Sequence, residues 1–84
     1  MARALFFGRL RDAAGCSARE VALEHATDVA AFRRLLCAGD AALEAVLASP
    51  TVRVAVNATL LPSAETGAVA PNDEVAFMPP FSGG

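Results

Sequence analysis

The sequence closes on Gly83-Gly84, so its final carboxylate is crowded by no side chain, and these residues follow an apolar run, Val75-Ala76-Phe77-Met78, through Pro79-Pro80. Glycine lacks a Cβ, so Gly83-Gly84 fits a slot too narrow for any other residue. Pro79 and Pro80 cannot donate ladder hydrogen bonds, which ends a strand there, and their fixed φ favours an extended path. Residues 81–84 reach at most about 14 Å beyond that base. Phe81, Ser82, Gly83 and Gly84 therefore read as a short arm that inserts a carboxylate into a deep site of another molecule. Ordering them costs roughly 1–2 kcal/mol per residue, so the arm is expected to order only in a partner. The competing reading is an inert end of the usual polar kind. A proline pair, an aromatic ring and two terminal glycines together argue against it.

The remaining reactive side chains form no catalytic constellation. Cys16 and Cys37 lack CxxC spacing, and His25 is the only imidazole, so a metal site is not expected. Cys16, in a Gly-Cys-Ser loop, is the thiol more open to reagents. No phosphate-cradling glycine loop and no nucleophile–base pair stands out. Glu20, Glu24, Asp73 and Glu74 read as solvated strand and turn residues. Arg9 and Arg11 read as surface charge, with a steering role in docking as the lesser alternative.

Composition narrows the class further. The 84 residues include 7 basic and 9 acidic side chains, net −2, so no field draws in a nucleic-acid backbone. All seven basic residues are arginine and none is lysine; with the abundant alanine, this reads as base-composition bias. No apolar run approaches the ~20 residues of a membrane span, and Gly8 interrupts the N-terminal apolar run too early for a signal peptide. A cytoplasmic protein is expected, with both thiols reduced.

Length allows one domain, residues 1–80, with residues 81–84 as its tail. Residues 2–8 read as a strand ended by Gly8, followed by a loop through Gly15-Cys16-Ser17. Residues 19–24 alternate as a half-buried strand, Val21 and Leu23 inward. "TDVAAFRRLLCAG" predicts a helix capped by Thr27, with Val29, Phe32, Leu35 and Leu36 on its buried face and Gly39 beyond its end. Asp40 caps a short second helix with Leu43, Val46 and Leu47 as its stripe, broken at Ser49-Pro50. "TVRVAVN" alternates with Val52, Val54 and Val56 inward, then turns at Asn57-Ala58-Thr59 into a short strand at Leu60-Leu61. A turn at Asn72-Asp73 precedes the last strand, Glu74 to Met78. The order fits an α+β, β-grasp (ubiquitin-like) fold: a mixed sheet of about five strands around one main helix plus a short one, with the last strand beside the first.

Strand parity then places Ala4, Phe6, Val75 and Phe77 against the helix. Leu5, Phe7, Ala76 and Met78 are left as an apolar patch on the solvent face, extended by Leu60. Such a patch beside the departing tail suits a docking surface for another protein. The competing arrangement reverses the parity of the first strand and buries Leu5 and Phe7; scattered exposed apolar residues are also ordinary.

Three stretches, "ALFFGRLRDAAG", "VAVNATL" and above all "NDEVAFMPPFSGG", make the chain resemble the small subunit of molybdopterin synthase, a ubiquitin-like sulfur carrier. Residues 16–50 match in pattern only. The resemblance implies that a ubiquitin-activating-type adenylyltransferase uses ATP to adenylate the Gly84 carboxylate, and that a sulfur donor converts it to a thiocarboxylate. It implies insertion of the tail into the large subunit, within a heterotetramer, to give sulfur to cyclic pyranopterin monophosphate in molybdenum cofactor biosynthesis. No cofactor is then bound permanently. Phe7, Leu60, Met78, Pro79 and Pro80 stand at the partner interface that the resemblance implies. Met78 stands where a second Phe is common, and Phe81-Ser82 where smaller or β-branched residues are frequent, which implies a roomier channel mouth. A sulfur carrier for thiazole or another pathway, and a ubiquitin-like protein modifier, are the alternatives.

Overall fold

The computed structural model describes residues 1–62 and 67–80. The chain runs β1 (Ala2–Phe6), α1 (Arg9–Ala14), β2 (Ala18–Val21), β3 (Thr27–Asp28), α2 (Val29–Leu36), α3 (Ala41–Leu47), β4 (Arg53–Val56), β5 (Thr59–Leu60), β6 (Ala68–Val69) and β7 (Glu74–Met78). Five strands form one sheet in the order β2-β1-β7-β4-β5, and β3 pairs with β6 in a separate two-stranded ribbon. β1 and β7 are parallel, with Leu5 opposite Ala76, while every other pair in the main sheet is antiparallel. This mixed sheet, with helices on one face, is the β-grasp arrangement.

Alternation along the central strands builds the core. Ala2, Ala4 and Phe6 of β1 and Val75 and Phe77 of β7 are buried, and they meet Val29, Phe32 and Leu36 of α2 and Leu43 and Leu47 of α3. The rings of Phe6 and Phe77 stack with centroids 6.0 Å apart and planes 17° from parallel. Burying each of these side chains stabilises the fold by about 1.5–3 kcal/mol.

Local chemistry sets the element ends. Asp28 caps α2, its Oδ1 accepting from Ala31 N–H at 2.7 Å, and Asp40 caps α3 by accepting from Leu43 N–H at 3.0 Å. Asn57 and Ala58 both have positive φ (49° and 67°), the primed hairpin turn that matches the twist of β4 and β5. Arg19 points inward from β2 and donates from Nη2 to Ala14 O at 2.9 Å and from Nη1 to Leu36 O at 3.4 Å. One guanidinium thus serves the carboxyl ends of α1 and α2 together.

Several expectations need correction. Residues 9–14 are helix, not loop: Leu10 is buried, and Gly15 in the left-handed conformation closes the turn by donating to Arg11 O at 2.8 Å. β1 stops at Phe6 and β2 at Val21, each shorter than the alternation suggested. Asp28, not Thr27, is the cap of α2, because Thr27 is engaged as a strand residue opposite Val69. Leu35 and Val46 are exposed, and Arg33 takes a buried position on α2 instead. Ala55, expected to face outward, does lie on the outer row but is buried there, enclosed between Ala76 and Leu60 on the neighbouring strands.

Candidate functional site

The outer face of the sheet carries an apolar row that the register makes continuous. Leu5 lies opposite Ala76, Ala76 opposite Ala55, and Ala55 opposite Leu60, so one line of apolar side chains crosses β1, β7, β4 and β5. Phe7 and Met78 flank it, and together with Ala58 and Glu74 these residues line a shallow groove of about 370 Å³. Phe7 and Leu60 are 47% and 46% exposed, far above the ordinary burial of such side chains. Charge is confined to the margins: Arg3 pairs with Glu20 at 3.0 Å, Glu74 lies opposite Arg3, and Arg53 lies opposite Met78. An apolar centre within a charged rim is how protein-docking patches are built.

The root of the tail sits at one end of this groove. Phe7 N–H donates to Phe77 O at 3.1 Å, beyond the paired residues of β1. The chain then turns away at Gly8 (φ 57°, ψ −136°) while β7 runs on into Pro79. A Cβ on Gly8 would stand 3.0 Å from Pro79 Cγ, so the lack of a side chain lets the tail root lie against the turn. Pro79 is half-buried and Pro80 exposed. Phe81, Ser82, Gly83 and Gly84, the expected arm, lie outside the described residues.

The structure therefore brings Phe7, Leu60, Met78 and Pro79 to one region of the surface, Leu5, Ala55, Ala58 and Ala76 with them. Sequence reasoning missed Ala58, whose place in the groove follows from the hairpin turn. The other reactive side chains stand apart. Cys37 is buried, and burial, then Glu44 and Asp40, push its thiol pKa up, away from the reactive thiolate. Cys16 is half-buried with Sγ 3.8 Å from Ala14 O. Among the described residues no cluster of three or more His, Cys, Asp or Glu side chains is placed to hold a metal, and no helix is long and apolar enough to cross a membrane.

Comparison with known proteins agrees with this geometry. The ThiS family profile matches residues 4–84. The crystal structure of SAMP1 from Haloferax volcanii superposes with a TM-score of 0.79 at 26% identity, covering 99% of this chain and 98% of that one. A second crystal structure, of H. volcanii small archaeal modifier protein 1, gives 0.78 at 23% identity over 95% and 97% of the two chains. The solution structure of small archaeal modifier protein 1 from Methanosarcina acetivorans gives 0.74 at 23% identity over 99% and 95%. No curated protein matches the sequence. With a family profile that spans nearly its whole length on a ubiquitin-like fold, this chain belongs to the ThiS family of ubiquitin-like sulfur carriers.

Proposed function

We propose that the chain is the sulfur-carrying small subunit of a molybdopterin synthase, with Gly84 as the group that is loaded. In this reading the body (residues 1–80) docks and the tail (81–84) reacts. A ubiquitin-activating-type adenylyltransferase joins the Gly84 carboxylate to the AMP of ATP, releasing pyrophosphate. A carboxylate is a poor electrophile; the acyl-adenylate supplies the leaving group. A sulfur donor then displaces AMP, leaving a thiocarboxylate whose sulfur is a strong nucleophile. The large subunit binds the outer face through Phe7, Leu60, Met78, Pro79 and Pro80. The tail, Phe81 to Gly84, enters its active site and gives sulfur to cyclic pyranopterin monophosphate. The carrier returns as carboxylate.

The observation that carries this reading is the adjacency of the apolar groove and the tail root: the docking surface and the arm share β7, so gripping one aims the other. The family match through residue 84 supports Gly84 as the working end. Incubation with the activating enzyme, ATP and a sulfide source should raise the intact mass by one exchange of oxygen for sulfur. The loaded protein, mixed with the large subunit and precursor, should then yield molybdopterin. Loading without molybdopterin formation would redirect the sulfur to thiazole or another acceptor; no loading would end the carrier reading.

A second reading is favoured by the likeness to small archaeal modifier protein 1. In this reading the activated Gly84 carboxyl is passed to lysines of other proteins. Isopeptide-linked Gly84 on cellular lysines, found by mass spectrometry, would support it.

A further inference from the structure

An activated carboxyl on the end of a protein is a hazard to that protein, because any amine within reach can take the acyl group. This rests on the activation of Gly84 proposed above and holds for both the carrier and the modifier reading. In the reaction, the amine nitrogen bonds the Gly84 carbonyl carbon, the bond from that carbon to the AMP oxygen breaks, and the amine proton leaves to water. The stable product is an amide.

The side chains that could accept the acyl group are few. The sequence contains no lysine, and all seven of its cationic side chains are arginine. Arg3, Arg9, Arg11, Arg34 and Arg53 hold exposed positions, where a lysine would be equally well solvated. A guanidinium stays protonated across the physiological range and does not act as a nucleophile, whereas an ammonium readily deprotonates to one. Of the two thiols, Cys37 is buried with its pKa raised, and Cys16 is half-buried. His25 is exposed, but an acyl-imidazole hydrolyses and leaves no lasting link. The region next to the tail root bears the point out: Gly8 abuts Pro79, and the residue that follows Gly8, Arg9, is an exposed cation and not a lysine.

We infer that this chain is a donor and never a side-chain acceptor. None of its side chains carries an amine that could form an amide with its own activated tail or with that of another copy, so it builds no side-chain-linked polymers; its one amine is the Met1 terminus, which donates to Asn72 Oδ1 at 3.0 Å.

The test keeps surface charge fixed and restores the amine. Wild type, Arg9→Lys and Arg34→Lys are each incubated with the activating enzyme and ATP, with and without sulfide, and read by denaturing gel and intact mass. Wild type should show only free acid and thiocarboxylate. The lysine variants, Arg9→Lys foremost, should gain a product of monomer mass less one water, or of two copies less one water, with Gly84 mapped to the new lysine. Gly84 amides mapped to a side chain of wild type, or none from either variant while sulfur loading of Gly84 proceeds, would overturn the inference alone. Failure of wild type to load sulfur at all would overturn the carrier reading and this inference with it.

Discussion

Asn57 and Asp73 are joined side chain to side chain, Nδ2 donating to Oδ1 at 2.9 Å, across the gap between the β4–β5 hairpin turn and the turn that opens β7. Each also serves a backbone: Asn57 Oδ1 accepts from Glu74 N–H at 2.9 Å, and Asp73 Oδ2 accepts from Ala70 N–H at 2.8 Å. The pair fixes where β7 starts, and therefore the register that aligns Ala55, Ala76 and Leu5.

The Ala70 amide, then the Asn57 amide, hold the Asp73 carboxyl below its ordinary value of 3.8. Because the folded form binds the proton less readily than the unfolded form, the contribution is present in full above that value. It disappears as pH falls through the lower, folded value. Asp73→Asn should flatten the stability profile below about pH 4 and leave its shape at neutral pH unchanged. Urea melts from pH 2 to 7 would check this; an unaltered acid limb would contradict it.

Phe6 and Phe7 are neighbours in sequence with opposite fates, which gives a matched pair of truncations. Phe77→Ala or Phe6→Ala should lower stability by about 3–5 kcal/mol through the lost ring and the cavity left behind. Phe7→Ala should stay within about 0.5 kcal/mol of wild type. Urea midpoints with unchanged m-values would establish both.

Under the function proposed above, Phe7→Asp and Met78→Asp on the outer face should each abolish complex formation with a large subunit, seen by size exclusion. The circular dichroism of the free protein should stay native. Loss of the native spectrum would place these side chains in the core instead.

Removal of Gly84, or addition of any residue after it, should stop sulfur transfer with no shift in the melting midpoint. Gly83→Val should slow tail insertion in single-turnover assays by adding a branched side chain where a narrow slot is expected. A variant without Gly84 that still supplies sulfur would contradict the proposal.

Much of this architecture is written in alternation. Ala4-Leu5-Phe6-Phe7 and Val75-Ala76-Phe77-Met78 each carry apolar residues on both faces, and only the Arg3 and Glu74 parity tells inside from outside; that was enough to put Leu5, Phe7, Ala76 and Met78 on the solvent side. α1 was missed because six residues with one buried side chain, Leu10, carry almost no period; the arginine- and alanine-rich run before Gly15 was the available signal. β3 and β6, two residues each, are defined by pairing with each other, and a contact so distant in sequence leaves no local mark. Leu35 was expected inside because a short helix allows two choices of apolar face, and packing chose the one with Arg33. The expectation of a reactive tail rests on Pro79-Pro80 and on Gly83-Gly84, the latter outside the described residues, whereas Ala58 entered the groove only through a backbone turn.

The parallel pairing of β1 with β7 also governs how the protein comes into being. The strand that fills the middle of the sheet is the last one to be synthesised in this sequence, so β1–β2 and β4–β5 must wait as separate hairpins until it arrives. Closing so long a loop is slow and becomes favourable only when the whole centre zips together. A ribosome stalled before β7 would hold the two halves of the sheet without the strand that joins them, an unfinished body open to proteases.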